Sequence, residues 1–594
     1  VDDDQPPAPP PLGAPHAAED CAGEDSAAST DGRVLDAATR RYLLKVAARW
    51  SPLLVCTAAL GLIVSLAPPV PAGNRAVAPG STLGSVAPGT GQAGTATSST
   101  SVQGPAATGG PGGGPGQLAT AASGGTGAGS PGLTRTGVAC GPGVRQFSWS
   151  AYAPMCVPAF HGNNGGTTSH GVTATTITVS YREPNSSQQA AAQSLAGSAF
   201  PDDNGLIADM QTYIKFFNSQ FELYGRHVVL VPYQGQGDYL AEDEGQDLAA
   251  AQADAATAYD LGAFADLTFP LFGSQYYEQD LAQAKVIGIG GLGFPDQWYA
   301  QYAPYEYSVT PTGTAAASGF ATAACDRMAG LPAIYAGDAA AQHTTRVFGL
   351  VTPENPEYMA VGDLVQHGMQ SQCGQGIAKR ASYAIDIASF EQQSVSIVAQ
   401  MKQAGVTTVI CGCDPLFPIL LTQAADQQQY YPEWLTIGWY DPQGRLPAQD
   451  QMAHAISQEG AAIPNAQSEA YRVFEMADPN GRPAEQYFSV AYYSVLYLFD
   501  LLQAAGPDLT PATFQQAAFS MPASRLGDAG TWQGGADAYS PVTTTQIGWW
   551  DPTATSAFDG KQGAWESCEG GRWFTFLDPS TWAPIHTQFH CFGH

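Results

Sequence analysis

From Thr176 to Gly438 the chain alternates short apolar runs with stretches of helical periodicity. That alternation constrains the fold more than any other feature. Strand-like runs fall at Thr176–Ser180, His227–Pro232, 263–269 and 285–290, with helical stretches at 205–221, 243–260 and 275–284 between them. The pattern then starts again, with strands at Arg346–Thr352, 381–385, Thr407–Cys411 and Trp434–Gly438 and helices at 355–369, 388–404 and 415–428. In 205–221, Leu206, Ile207, Met210, Tyr213, Ile214 and Phe217 recur every three to four residues, which is the stripe of a helix buried on one side. Repeated βα units imply parallel sheets covered by helices on both faces. Two successive runs predict an α/β fold of two similar lobes. The stretch 484–505 is apolar nearly all round and is expected to lie buried. Residues 540–594 change to short Trp-, Thr- and Gly-rich strands.

The first 136 residues cannot build a core. Residues 1–50 form a Pro-, Ala- and Asp-rich leader, expected to be disordered, that turns basic after Arg33. An uncharged, mostly apolar run, 51–67, comes next. It reads either as a signal h-region, with Val70-Pro71-Ala72 as a cleavage-like site, or as an uncleaved membrane anchor with its basic end inside. Either reading puts residues 73–594 outside the cytoplasm. Residues 68–136 are a Gly/Ser/Thr/Pro linker. The third region, 137–594, carries nearly all of the net charge of −29. So acidic a chain lacks the basic footprint that nucleic acid or anionic lipid requires.

No HExxH, G-x-S-x-G, SxxK, CxxC or Walker sequence is present, so no catalytic residue is assigned and no enzyme activity is expected. Gly288-Ile289-Gly290-Gly291-Leu292-Gly293 matches a dinucleotide fingerprint in letters. Pro295 follows at once with no helix expected to open there, so it reads better as a backbone-rich cleft wall, and no cofactor is expected. His586, His590, Cys591 and His594 have ligand-like spacing, but no metal is assigned to them. The cysteines suggest three structural pairs, Cys140 with Cys156, Cys325 with Cys373 and Cys568 with Cys591. Cys411-Gly412-Cys413 is left open between a CxC bridge, a thiol pair and other partners.

Several segments, in this order, carry a resemblance to a family. Gly171-Val172-Thr173-Ala174-Thr175-Thr176-Ile177-Thr178-Val179 resembles the opening strand of type I periplasmic binding proteins, the branched-chain amino-acid-binding branch of ABC-transporter solute receptors. Gly273-Ser274 with Lys285–Gly290, Tyr430-Tyr431-Pro432-Glu433-Trp434 with Gly438, and Tyr487–Gly506 resemble later segments of the same family. High Ala and Gly with few Lys resemble an actinobacterial member. The resemblance implies two Rossmann-like lobes joined by hinge crossovers. Lobe 1 would be about 171–310 and 441–540, and lobe 2 about 316–440 and 541–594. The implied function is an extracytoplasmic receptor that captures a small polar solute, amino-acid-like or related, and presents it to a membrane permease. The rival readings are a membrane-anchored sensor ectodomain of the same fold and an extracytoplasmic hydrolase.

Ligands of open α/β sheets bind beyond the carboxyl ends of the strands. That rule selects Tyr181 after the first strand, Ser274 and Gln275 at a helix start, and Gly291 and Leu292 after the 285–290 strand. It also selects Asp414, which could receive a ligand ammonium, and Trp439 and Tyr440, which could stack on a ligand. Tyr358 falls near where the family uses a cleft Tyr. Structural roles stay open for each: helix capping for Ser274 and Asp414, packing for the three aromatics of the second run, a solvated loop for Tyr181. Gly290-Gly291-Leu292-Gly293 lacks the hydroxyl the family places there, which speaks against a simple α-amino acid.

Overall fold

A computed structural model of the chain describes residues 131–592 except 184, 268–273, 291–292, 439–440, 460–466 and 485. All of these belong to one compact unit, Pro115–His594. The leader, the apolar run 51–67 and most of the linker lie outside the described residues.

The chain enters through a small antiparallel ribbon, β1 (Gly132–Leu133) and β2 (Ala139–Cys140). Five parallel strands then build the first sheet: β3 (Thr176–Glu183), β4 (His227–Gln234), β5 (Ala265–Asp266), β6 (Ile287–Gly290) and β7 (Glu306–Ser308). Their spatial order is β4-β3-β5-β6-β7. The second sheet repeats it. β8 (Phe348–Pro353), β9 (Ile377–Tyr383), β10 (Thr408–Cys411), β11 (Glu433–Ile437) and β12 (Ala455–Glu459) lie in the order β9-β8-β10-β11-β12, again parallel. Three antiparallel strands extend this sheet: β13 (Thr544–Thr555) against β12, with β14 (Gln562–Ser567) and β15 (Trp573–Thr575) against β13. The architecture is therefore α/β with two lobes around parallel central sheets, as the alternation requires.

Local chemistry explains the elements. Helix Asp203–Gln220 starts where the Asp202 carboxylate accepts from the Gly205 N–H at 3.1 Å. Its stripe of Leu206, Met210, Tyr213, Ile214 and Phe217 is buried. It packs on helix Phe488–Ala505, where Phe217 and Phe221 meet Phe499 with ring centroids 5.4 and 5.3 Å apart. That helix is long and apolar enough to cross a membrane by composition, but it is buried at the centre of the first lobe.

Two sequence expectations are corrected. The helix expected over 243–260 is two helices, Tyr239–Asp243 and Leu248–Asp260. Gly245 (φ +74°) and Asp247 (φ +51°) turn left-handed between them and break the α-helical ladder. Residues 455–459, assigned to lobe 1, form β12, which pairs in register with β11 (Trp434 with Ala455, Ile437 with Gln458) and so belongs to the second sheet. The chain crosses to the first lobe only after β12.

Three crossings join the lobes, after β7, after β12 and before β13. They are tied side by side: the Ser308 N–H donates to Tyr539 O (2.8 Å), Ser540 Oγ to Thr310 O (2.7 Å) and Thr545 Oγ1 to Glu459 O (2.7 Å). The two ends of the described stretch are held on different lobes. Gln146 Oε1 accepts from the Val157 N–H (2.8 Å) and from Gln503 Nε2 (3.2 Å) on the central helix of the first. The tail is fastened to the second, where Arg327 Nε donates to Thr587 O (2.7 Å). Disulfides join Cys140 to Cys156, Cys325 to Cys373, Cys411 to Cys413 and Cys568 to Cys591. The CxC alternatives thus resolve to a bridge, and Cys591 has no thiolate to offer a metal.

Candidate functional site: a cavity between the lobes

The carboxyl ends of both parallel sheets open onto one cavity of about 370 Å³. From the first lobe come Tyr239, Leu240 and Asp243, on the helix after β4, and Gly293, after β6. From the second come Thr352 at the end of β8, Ile385 after β9, Gly412, Cys413 and Asp414 after β10, and Gln458 and Glu459 closing β12. The crossings contribute Thr310, Pro311 and Thr545, and the start of the long central helix adds Tyr487, Ser489, Val490 and Tyr493. Tyr358 and Val361, on helix Pro356–Cys373, complete the wall with Phe200 and Phe320. The surface is mainly aliphatic and aromatic, more apolar than the polar solute expected from the sequence requires.

Three carboxyls face this cavity. Asp243 is 4% exposed, and its Oδ1 accepts one long hydrogen bond, from the Gln275 N–H at 3.2 Å. Burial pushes its carboxyl well above the usual range, and the nearby acids Glu242 and Asp414 add to that. Asp414 begins the turn into helix Phe417–Gln427. Its Oδ1 accepts from the Leu416 and Phe417 N–H groups (2.7 and 3.1 Å), and its Oδ2 accepts from Tyr383 OH at 2.5 Å. Burial raises its pKa, and these hydrogen bonds hold it back. Glu459 is buried at the crossing, where its Oε1 accepts from Ser457 Oγ at 2.9 Å, and burial pushes its pKa up to about 8. Room for its side chain comes from Gly438 and Gly548, where an added Cβ would sit 2.5–2.6 Å from Glu459 atoms.

No Lys, Arg or His lines the cavity among the described residues. The internal segments outside the described residues contain none in their sequence either. Two buried oxygens of cavity-lining residues, Thr352 Oγ1 and Gln458 Oε1, have no hydrogen-bond partner among the described residues.

The sequence-predicted residues divide. Tyr358 and Asp414 line the cavity. Gly291, Leu292, Trp439 and Tyr440 lie outside the described residues. Ser274, Gln275 and Tyr181 are placed elsewhere. Ser274 caps helix Gln275–Ala284, accepting from the Tyr277 N–H at 3.1 Å, and spends its proton on Glu242 Oε2 at 2.5 Å. Gln275 is buried beside it and reaches the site only through its backbone N–H on Asp243. Tyr181 is fully buried in the first lobe, donating to Asp203 Oδ1 at 3.0 Å, which is neither a cleft mouth nor a solvated loop. Next to Tyr181 on β3, the Arg182 guanidinium lies 4.3 Å above the Tyr277 ring and binds Glu242 (2.5 and 3.1 Å) and Asp254 (2.9 Å), so this end of the strand is packed with protein groups. Sequence reasoning missed Asp243 and Glu459. Periodicity alone makes Asp243 the start of a helix running to 260, and Gly245 is the signal that the helix stops there. The motif Gly288–Gly293 places Gly293 in the wall with φ +76°, and a seven-residue helix, Asp296–Tyr302, does open after Pro295.

No protein-family model matches the chain, and no curated protein sequence matches it. Solved structures similar in fold are ABC-transporter solute-binding proteins. A leucine-, isoleucine-, valine-, threonine- and alanine-binding protein from Brucella ovis, in a closed conformation, is 13% identical, with 68% of this chain and 96% of that one covered at a TM-score of 0.48. A solute-binding protein from R. palustris in complex with 4-hydroxybenzoate is 13% identical (67% and 97% covered, TM-score 0.48). A fatty acid ABC-transporter substrate-binding protein from Thermomonospora curvata is 14% identical (69% and 95% covered, TM-score 0.47).

Proposed function

We propose that the chain is an extracytoplasmic receptor that captures one small organic solute between its lobes and hands it unchanged to an ABC permease. The observation that carries this reading is the interlobe cavity, walled by residues of both lobes and by Thr310 and Pro311 of the first crossing. A crossing of three short segments is a hinge, and a cleft that opens on a hinge can admit a ligand and then bury it. A volume of about 370 Å³ suits a molecule of metabolite size. Four disulfides support an oxidising compartment. The likeness of segments 171–179, 273–290, 430–438 and 487–506 to ABC-transporter receptors supports the permease as partner. Residues 51–67, as a signal or an anchor, would deliver the lobes to that side of the membrane.

The test is a thermal-shift screen of the full chain against amines, amino acids, aromatic and fatty acids, alcohols and sugars, with each hit recovered and checked by mass spectrometry. A ligand at a hundred times its Kd adds about 2.7 kcal/mol of stability. A saturable shift with the ligand returned intact supports the receptor reading. Ligand returned chemically altered overturns it in favour of an enzyme, and no shift across the panel overturns solute capture.

A further inference from the structure

Resting on that reading, we infer that the captured solute is an apolar organic cation, whose ammonium group lies between Asp243 of the first lobe and Asp414 of the second. The charge inventory comes first. The cavity presents three carboxyls and no basic side chain among the described residues. An anionic headgroup brought there would meet only like charge and have no counter-ion, whereas buried ions require one.

The placement of the two aspartates selects them over Glu459. Asp243 ends a helix of the first lobe, Asp414 follows β10 of the second, and both line the same cavity. Both also act on the same two tyrosines, Tyr239 and Tyr358, raising each phenol in addition to the effect of burial. An ammonium in the cavity therefore has one carboxyl available from each lobe and the Tyr239 and Tyr358 rings in the same wall, a setting that favours cations. Among the described residues the Asp243 carboxyl receives one hydrogen bond, at 3.2 Å on Oδ1, which leaves acceptor capacity for a ligand donor. Gln458 Oε1, without a partner among the described residues, is an independent acceptor left open on the same wall. The rest of the wall, with Val361, Phe320 and Ile385, takes an apolar body.

This placement gives the cation a second task. Without a counter-ion, burial favours the neutral forms of both carboxyls. An ammonium in the cavity favours their charged forms and is held by both lobes at once, so closure is favoured by a cation.

The experiment is calorimetric titration of the full chain with 4-phenylbutylammonium, 4-phenylbutanol and 4-phenylbutyrate, which share a body and differ in charge. The ammonium is expected to bind at least tenfold more tightly than the alcohol, and the carboxylate more weakly still. Asp243→Asn is expected to lower ammonium affinity at least tenfold and leave the alcohol within twofold. Asp414→Asn, whose amide oxygen keeps the turn, is the second variant should the first fail to fold. Carboxylate or alcohol binding as tightly as the ammonium overturns the inference while leaving solute capture intact. An unchanged ammonium affinity in both variants overturns it as well. If none of the three binds and none displaces the neutral dye Nile red, capture in this cavity falls with it.

Discussion

The two lobes share one strand order, β4-β3-β5-β6-β7 against β9-β8-β10-β11-β12, yet they treat the carboxyl end of the first strand differently. Beyond β3 the first lobe supplies its own cation, Arg182, with Glu242 and Asp254 closed around it. Beyond β8 and β10 the second lobe leaves Thr352 and Asp414 on the cavity wall with no cation among the described residues. At the opposite end of its sheet the second lobe does neutralise a carboxylate, with Arg346 on both oxygens of Glu433 at 2.7 and 2.8 Å. A repeated topology thus sets where a site can form. Whether one forms depends on which side chains already occupy the crevice.

The sharpest way to break this comparison is to remove the plug. Arg182→Met leaves Glu242 and Asp254 buried without their partner and is expected to cost roughly 3–5 kcal/mol in urea unfolding. A loss under about 1 kcal/mol would mean the crevice beyond β3 does not depend on its cation. The disulfides come next. Cys325–Cys373 spans 48 residues in the second lobe and Cys140–Cys156 spans 16 at the entry to the first. Replacing both cysteines of the longer bridge with alanine is expected to cost roughly 2–4 kcal/mol, more than the same change in the shorter one, because the longer loop regains more freedom when unfolded. Equal costs would remove that asymmetry.

The smallest effect concerns Glu306, which opens β7 of the first lobe and, unlike Glu433, has no arginine on it among the described residues. Both its side-chain oxygens lack a hydrogen-bond partner among the described residues. Burial, then the neighbouring Glu278, pushes its carboxyl well above 4.5. The folded chain therefore holds this proton more tightly than the unfolded one. Its contribution is complete below the ordinary carboxyl range and is lost as pH rises through the raised folded value. Glu306→Gln is expected to stabilise the protein by about 1 kcal/mol at neutral pH and to flatten the fall in stability above pH 5. An unchanged pH profile of unfolding would place the titration elsewhere.

Periodicity made most of the fold legible, because parallel strands buried on both faces read as apolar runs and their helices carry a stripe. The elements that escaped were short or conditional. The three residues of β7 are too few to show a period, and β12 (Ala455–Glu459) mixes polar and apolar residues although all five are buried. The site was legible where a side chain leaves a strand of the second sheet for the cavity, as Asp414 does. It was illegible at Ser274, Gln275 and Tyr181, because each meets an acid 32, 32 and 22 residues away, Glu242, Asp243 and Asp203. No local pattern encodes those meetings.

The attachment of the two ends of the described stretch to different lobes has a mechanical consequence. A fluorophore at each end of 131–592 would lie across the hinge, and the distance between them would gauge the opening of the cleft without touching any residue that meets the solute.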